Sequence, residues 1–593
     1  MGSNIKAVCT INVSEKNKKN IDYINKYDIV IKYEIKEEGI MAINKIELSL
    51  KSVIKDAIIK LNYVEDYEID QIVIEIPKDK AHGDYSTNIA MQLTRVLKRN
   101  PREIAQSIVD TIDKEAGNID QIEIAGPGFI NLFLKKDAMT SIIGEVINEN
   151  EDYGKSNFGQ GIKYNVEYVS ANPTGDLHLG HARGAAVGDS MCRIMEAAGY
   201  NVTREYYIND AGNQITNLAL SLYARYLQAF GQQKEMPEDG YHGKDIIEIA
   251  EKIKAEVGDR FLNCDEKEAI AYFRKVGTEF ELQKIKDILK EYRVQHDVWF
   301  SETSLYTENK IEPTIQKLKD KGYTYESEGA LWFKSTEFGD DKDRVLIKSD
   351  GSYTYLTPDI AYHLNKLDRG YEYLVDLLGA DHHGYINRMK AAIQALGYNA
   401  DQLNIDIIQM VRMVENGEVV KMSKRTGNAV TIKDLIEDIG VDATRYFFIS
   451  KAANTPFDFD LGLAKSKSNE NPVYYAQYAH ARMCSIERQA ESANIEMADH
   501  YELLTHPKEI ELVKHINELR NEVIESAKQR APHKIANYIQ KLAQLFHSFY
   551  NECYVIDENQ KELSAQRLAL VKAAQITMRN ALNLLGVSAP EKM

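Results

Sequence analysis

A strand–loop–helix unit constrains this fold more than any other feature. Lys163-Tyr164-Asn165-Val166-Glu167-Tyr168-Val169 is an apolar and aromatic run short enough for one buried strand, and Ala182 to Gly199 spaces its apolar residues as a helix does. Between them lies Ala171-Asn172-Pro173-Thr174-Gly175-Asp176-Leu177-His178-Leu179-Gly180-His181. His178 and His181 stand three apart where the strand feeds the helix, so both rings can share one face beside unpaired amide donors that favour an anion. Gly180 removes a side chain between them and lets a nucleotide approach the backbone closely.

A second segment lies far along the chain. Lys421-Met422-Ser423-Lys424-Arg425 puts two lysines three apart on a loop flanked by Gly417 and Gly427. A flexible cationic loop suits a polyphosphate whose charge changes during reaction. Either segment alone is commonplace, as a chance histidine pair or a solvated loop. Their order, their separation and the strand–loop–helix context agree on an ATP site.

At these residues the chain resembles the class I aminoacyl-tRNA synthetases, whose signatures are His-Ile-Gly-His and Lys-Met-Ser-Lys-Ser, and more closely the bacterial arginyl-tRNA synthetases. The closer match rests on Glu167 to Gly175, Asn209 to Ile215, Tyr355-Leu356-Thr357-Pro358-Asp359, Gly379-Ala380-Asp381-His382-His383-Gly384 and Asn471 to Arg482. It runs from near Met41 to Met593. Leu179 replaces the usual isoleucine and Arg425 the final serine; both lysines remain.

Composition agrees with a multidomain globular protein. A chain of 593 residues exceeds one core, and 44% hydrophobic with 27% charged residues is ordinary. No run approaches the length of a membrane span, and the N-terminus lacks a secretory pattern. Cys9, Cys192, Cys264, Cys484 and Cys553 are scattered, with no close pair to build a zinc site, and read as reduced thiols of a cytoplasmic protein. The net charge of −17 discourages non-specific RNA binding, yet residues 451–593 hold 17 basic against 18 acidic residues and are nearly relieved of that excess.

Four pieces follow along the chain. Residues 1–40 read as an extension upstream of the family pattern. Residues 41–155 mix helical and strand-like stretches as a small α+β domain. Residues 156–450 alternate strands and helices as a doubly wound parallel sheet, with a largely helical insertion near 210–335. Residues 451–593 are helical almost throughout.

The resemblance implies a Rossmann-like catalytic domain between an N-terminal tRNA-recognition domain and an all-helical anticodon-binding domain. It implies ATP with Mg²⁺ and L-arginine as substrates and tRNA(Arg) as partner, in a cytoplasmic monomer with no membrane contact and no bound cofactor or zinc. His178, His181, Lys421 and Lys424 would be catalytic, and Thr174, Gly175, Gly180, Met422 and Ser423 would join them around ATP. Glu167, Asn172, Tyr355, Asp359, His382 and His383 would bind arginine. Tyr355 and Asp359, four apart, could offer a flat ring and a carboxylate from one helix face, which a guanidinium requires. Tyr85, Tyr474, Tyr475, Tyr478, Arg482 and Met593 would face tRNA, although an aromatic stripe at helical spacing is usually core packing. A cysteine-specific synthetase lacks its zinc cluster here, and a nucleotidylyltransferase would leave the helical C-terminal domain without purpose. An RNA-binding protein without ligase activity would not need both histidines and Lys424.

Overall fold

The apolar run after Gly161 forms a strand, Lys163–Glu167 (β1), the first of five parallel strands in the computed structural model. The others are Asn201–Ile208 (β2), Val298–Ser301 (β3), Tyr373–Gly379 (β4) and Leu403–Ile408 (β5), in spatial order β3-β2-β1-β4-β5. Parallel neighbours need crossovers, and helix Leu179–Ala197 supplies the one from β1 to β2. Strand order reverses between β1 and β4, a topological switch point, and ligands of such sheets bind beyond the carboxyl ends there. The histidine motif falls at that position. The structure describes residues 45–64, 71–75, 77, 82–382, 384–415, 417–420 and 429–593.

The expected helical insertion near 210–335 needs correction. Helices Asn213–Ala229, Lys244–Val257 and Glu266–Glu291 pack Leu218, Leu222, Ile249 and Phe273 into a core of their own. β3 then follows within the same range and belongs to the main sheet. A second excursion before β4 carries helix Ile311–Asp320 and an antiparallel sheet of Thr324–Ser327, Ala330–Phe333 and Arg344–Ile347. Four residues of β3 are too few for periodicity to mark a strand.

The N-terminal unit packs helices Lys45–Lys60, Ile89–Leu97 and Pro101–Thr111 on an antiparallel sheet of Tyr85–Thr87, Phe129–Leu134 and Ile119–Ala125. Asn100 caps the third helix by accepting from the Arg102 amide, and Pro101 follows at the first helical position. Gly83, at φ +89°, lies so close to the sheet that a Cβ would stand 2.8 Å from the Leu132 carbonyl oxygen.

Beyond Asn471, five helices, Pro472–Ser492, Pro507–Asn517, Leu519–Lys528, His533–Glu552 and Lys561–Leu584, pack around Leu512, Ile539, Leu542 and Ala573. The N-terminal unit docks on the second of them: Lys514 pairs with Asp84 at 2.5 Å, and Asn517 Nδ2 donates to Tyr85 Oη at 3.5 Å. Tyr85 is therefore buried between the two domains, where the sequence reading expected it to face tRNA. Burial between two domains is not visible in a local pattern. No helix among the described residues is long and apolar enough to cross a membrane.

Candidate active site

His178 caps helix Leu179–Ala197, its Nδ1 accepting from the Gly180 amide at 3.1 Å, while His181 Nδ1 accepts from the His178 amide at 3.2 Å. Both Nδ1 atoms being acceptors, the neutral rings carry their protons on Nε2. The rings stack with centroids 3.8 Å apart. Burial lowers the pKa of both, and His178 helps push His181 down to about 4, so near neutral pH the pair is uncharged with Nε2–H donors to offer. A Cβ on Gly180 would press within 3.2 Å of His178 Cε1. Thr174 and Gly175 are half-buried in the loop before, where the Thr174 amide donates to the Asn172 carbonyl at 2.8 Å.

Lys421, Met422, Ser423 and Lys424 lie outside the described residues. The chain on either side of them is anchored. Before them, the Val420 amide donates to the Met413 carbonyl at 2.9 Å. After them, Leu179 N donates to Val430 O at 3.1 Å and Ile432 N to Leu177 O at 2.9 Å, so His178 and Thr431 form a β-bridge. Thr431 and Asp434 then close a capping box on helix Ile432–Ile449. Two segments remote in sequence are thus joined by main-chain bonds.

Beside the histidines, helix Leu356–Asp368 turns Asp359, His363 and Lys366 along one face toward the ends of β1 and β4. Lys366 is fully buried, and its Nζ donates to Glu167 Oε2 at 2.6 Å and to Asp376 Oδ1 at 2.9 Å. His363 places Nε2 2.8 Å from Asp376 Oδ2 and Nδ1 2.7 Å from the Asp359 carbonyl oxygen. Both partners are acceptors, so this ring is an imidazolium. Burial opposes that charge, but Asp376 raises the His363 pKa above its ordinary value. Burial likewise works to raise Asp376, and Lys366 and His363 hold it well below the usual carboxylate range. On β2, burial acts on Glu205 in the same direction, and Arg369 at 2.7 Å with Lys366 keeps it low.

Glu167 also accepts from Ser170 Oγ at 2.9 Å. That contact depends on a tight turn in which the Ser170 amide donates to the Tyr168 carbonyl at 3.1 Å around Val169, at φ +71°. A β-branched residue there is strained, as residues beside functional sites often are.

Two acids in the same pocket have no such partner. Asp359 approaches the Tyr385 hydroxyl, and Glu302, at the end of β3, accepts from Tyr306 Oη at 3.3 Å and adjoins Tyr207. Among the described residues neither forms an ion pair. Burial pushes Asp359 up to about 7, with Glu302 and Glu167 adding to the rise and His363 and Tyr385 opposing it. Burial also raises Glu302 against the pull of Tyr207 and Tyr306. Glu302, Tyr207 and Tyr385 were missed from the sequence. A usable signal existed: Glu302 stands one residue, Ser301, beyond the apolar Val298-Trp299-Phe300, and the carboxyl ends of parallel strands are where ligands bind.

The other expected arginine ligands differ in their surroundings. Asn172 Nδ2 donates to Gln214 Oε1 at 2.6 Å. Tyr355 precedes helix Leu356–Asp368 and is 85% exposed, so it stands clear of Asp359 rather than packed on it. His382, exposed, ends the turn after β4 with its ring 6.2 Å from Tyr385, and His383 lies outside the described residues. On helix Pro472–Ser492, Tyr474 and Tyr478 stack at 6.2 Å and 10°, and Tyr475 and Tyr478 both adjoin His547. Arg482 donates to Tyr550 Oη at 2.7 Å, and Met593 is exposed.

Known proteins match most of this chain. Residues 48–134 match the arginyl tRNA synthetase N terminal domain, 143–453 the catalytic domain of class I (R) tRNA synthetases, and 476–593 the DALR anticodon binding domain. An arginine–tRNA ligase of Bacillus licheniformis is 57% identical over 92% of this chain and 98% of its own, and one of Shouchella clausii is 58% identical over the same shares. Among solved structures, a putative arginyl tRNA synthetase of Campylobacter jejuni superposes with a TM-score of 0.72 at 36% identity, covering 78% of this chain and all of that one. The Thermus thermophilus arginyl-tRNA synthetase shares the fold at a TM-score of 0.70 and 21% identity, over 92% and 99%. With its three domains matched in order and its catalytic sheet carrying the histidine motif at the switch point, the chain belongs to the arginyl-tRNA synthetases, ATP-dependent ligases of class I.

Proposed function

We propose that Glu302 and Asp359 bind the guanidinium of L-arginine, and that His178 and His181 hold the ATP triphosphate beside it. The observation that carries this reading is the pair of acids that form no ion pair among the described residues and adjoin the hydroxyls of Tyr207, Tyr306 and Tyr385. A guanidinium offers them paired donors and a permanent charge. Glu167, already matched by Lys366, is left to a weaker contact with the other end of the amino acid, together with Asn172 and His382 or His383.

In this pocket the arginine carboxylate attacks the α-phosphorus of ATP, which forms arginyl-adenylate and expels pyrophosphate with its Mg²⁺. The Nε2–H groups of His178 and His181, at the positive end of the helix dipole, face the phosphate charge as it develops. Lys424, supported by Lys421, neutralises the leaving pyrophosphate. The main-chain pairing of Val430–Ile432 with Leu177–Leu179 supports bringing that loop to the histidines. A hydroxyl of the terminal ribose of tRNA(Arg) then attacks the activated carbonyl, and AMP leaves. The stacked Tyr474 and Tyr478, with Tyr475, Arg482 and Met593, are read as the surface that meets the RNA. We read the chain as a cytoplasmic monomer; the free cysteines Cys192, Cys264, Cys484 and Cys553 support the compartment.

The test is transfer of labelled arginine, cysteine, lysine and glutamate to total tRNA by the purified protein with ATP and Mg²⁺, beside Lys424→Ala and Glu302→Gln. Arginine alone should be transferred, Lys424→Ala should lose turnover, and Glu302→Gln should lose arginine affinity. Unchanged arginine affinity in Glu302→Gln would remove that acid from the pocket.

A further inference from the structure

The segment Asn209 to Ile215, one of the motifs that carry the resemblance to the family, enters the site so far only through Gln214, the partner of Asn172. It begins just after β2 ends at Ile208. The Asp210 carboxylate reaches across to the end of β3, where Oδ2 accepts from Ser301 Oγ at 2.5 Å and Oδ1 accepts from the Thr303 amide at 2.8 Å and from Thr303 Oγ1 at 2.9 Å. Ser301 and Thr303 are the two neighbours of Glu302. Glu302 opens a helix of six residues, Glu302–Thr307, and Ser301 at its cap position makes no capping bond of its own. The cap is supplied instead from another strand, by Asp210. Behind it, Arg274 of helix Glu266–Glu291 donates to the Asp210 carbonyl at 3.0 Å, so the insertion braces the same corner.

We propose that Asp210 is a positioning residue for amino-acid selection: it grips both neighbours of Glu302 and so aims that carboxylate at the substrate cation. This rests on the reading of Glu302 as a guanidinium ligand. Asp210 itself need not touch arginine. Its negative charge has a second consequence, adding to the rise that burial imposes on Glu302, against the hydroxyls of Tyr207 and Tyr306. The two effects separate by substitution. An amide at position 210 can still accept from Thr303 and can donate its Nδ2 protons to Ser301 Oγ, which keeps the grip and removes the charge. A methyl group removes both.

The experiment measures pyrophosphate exchange in the presence of tRNA across pH for Asp210→Ala and Asp210→Asn, with Glu302→Gln as reference. Asp210→Ala should raise KM for arginine by about tenfold or more and leave KM for ATP within about twofold. Asp210→Asn should keep KM near the parent value and move the acid limb of kcat/KM for arginine to lower pH. Unchanged arginine KM in folded Asp210→Ala, while Glu302→Gln raises it, overturns the proposal and leaves the pocket standing. Parallel rises in both KM values also overturn it, because they signal general damage. If Glu302→Gln has no effect, the pocket reading fails and this inference with it. Should Asp210→Ala not fold, Thr303→Val, which removes one hydroxyl bond to Asp210, decides: a raised KM for arginine alone supports the role and an unchanged one overturns it.

Discussion

Two groups of acids lie near the switch point and are treated in opposite ways. Glu167, Asp376 and Glu205 are each matched by a cation from one helix or its end, Lys366, His363 or Arg369, and Asp376 and Glu205 are held below their ordinary range. Asp359 and Glu302 lie close by, adjoin hydroxyls but form no ion pair among the described residues, and are pushed up. The first group is internal structure at the switch point. The second is, on the function proposed above, where an arginine side chain would supply the missing charge, and raised acids of this kind cluster at functional sites.

Breaking the matched group has the largest effect. Lys366→Met leaves Glu167 without a cation and Asp376 with His363 alone, and denaturant unfolding should show a loss of about 3–5 kcal/mol. Lys366→Arg should recover part of it. Asp359→Asn attacks the other group and inverts the outcome: kcat/KM for arginine should fall by about 100-fold, close to 2.7 kcal/mol, while the melting temperature of the free protein stays level or rises. Equal losses of stability in both variants would erase the distinction between the groups.

Ligand protection sharpens it further. Arginine at about 100 times its Kd should stabilise the parent by roughly 2.7 kcal/mol in a thermal scan, and Asp359→Asn at the same concentration should gain far less. The smallest signal is the pH dependence of the free protein, since many other carboxylates titrate in the same window. Asp359 retains its proton when folded up to about pH 7 and loses it earlier when unfolded, so its contribution to stability falls as pH rises from about 4 to 7. Asp376 has the opposite sign: its contribution is present above the ordinary carboxylate range and is lost as pH falls through its depressed folded pKa. Comparing Asp359→Asn with the parent by stability at pH 5 and pH 8 isolates the first slope. Arginine binding should weaken below about pH 7 for the same reason, because the guanidinium must displace a proton.

The sequence by itself determined the features that depend on local order. Periodicity marked β1 and the helix after it, and spacing placed His178, Gly180 and His181 where that strand meets that helix. Alternation indicated a parallel sheet, and amphipathic runs indicated a helical C-terminal domain. Asp359 was legible through its offset of four from Tyr355, yet the expected partnership was not, because Tyr355 points outward. Only the tertiary structure decided which acids are matched and which are free. Lys366 meets Glu167 across 199 residues of chain, Glu302 joins Asp359 from a different strand, and Tyr85 is covered by Asn517 across 432. Charge state follows from what surrounds a carboxylate in space, and residues brought together by sheet order leave no periodic trace along the chain.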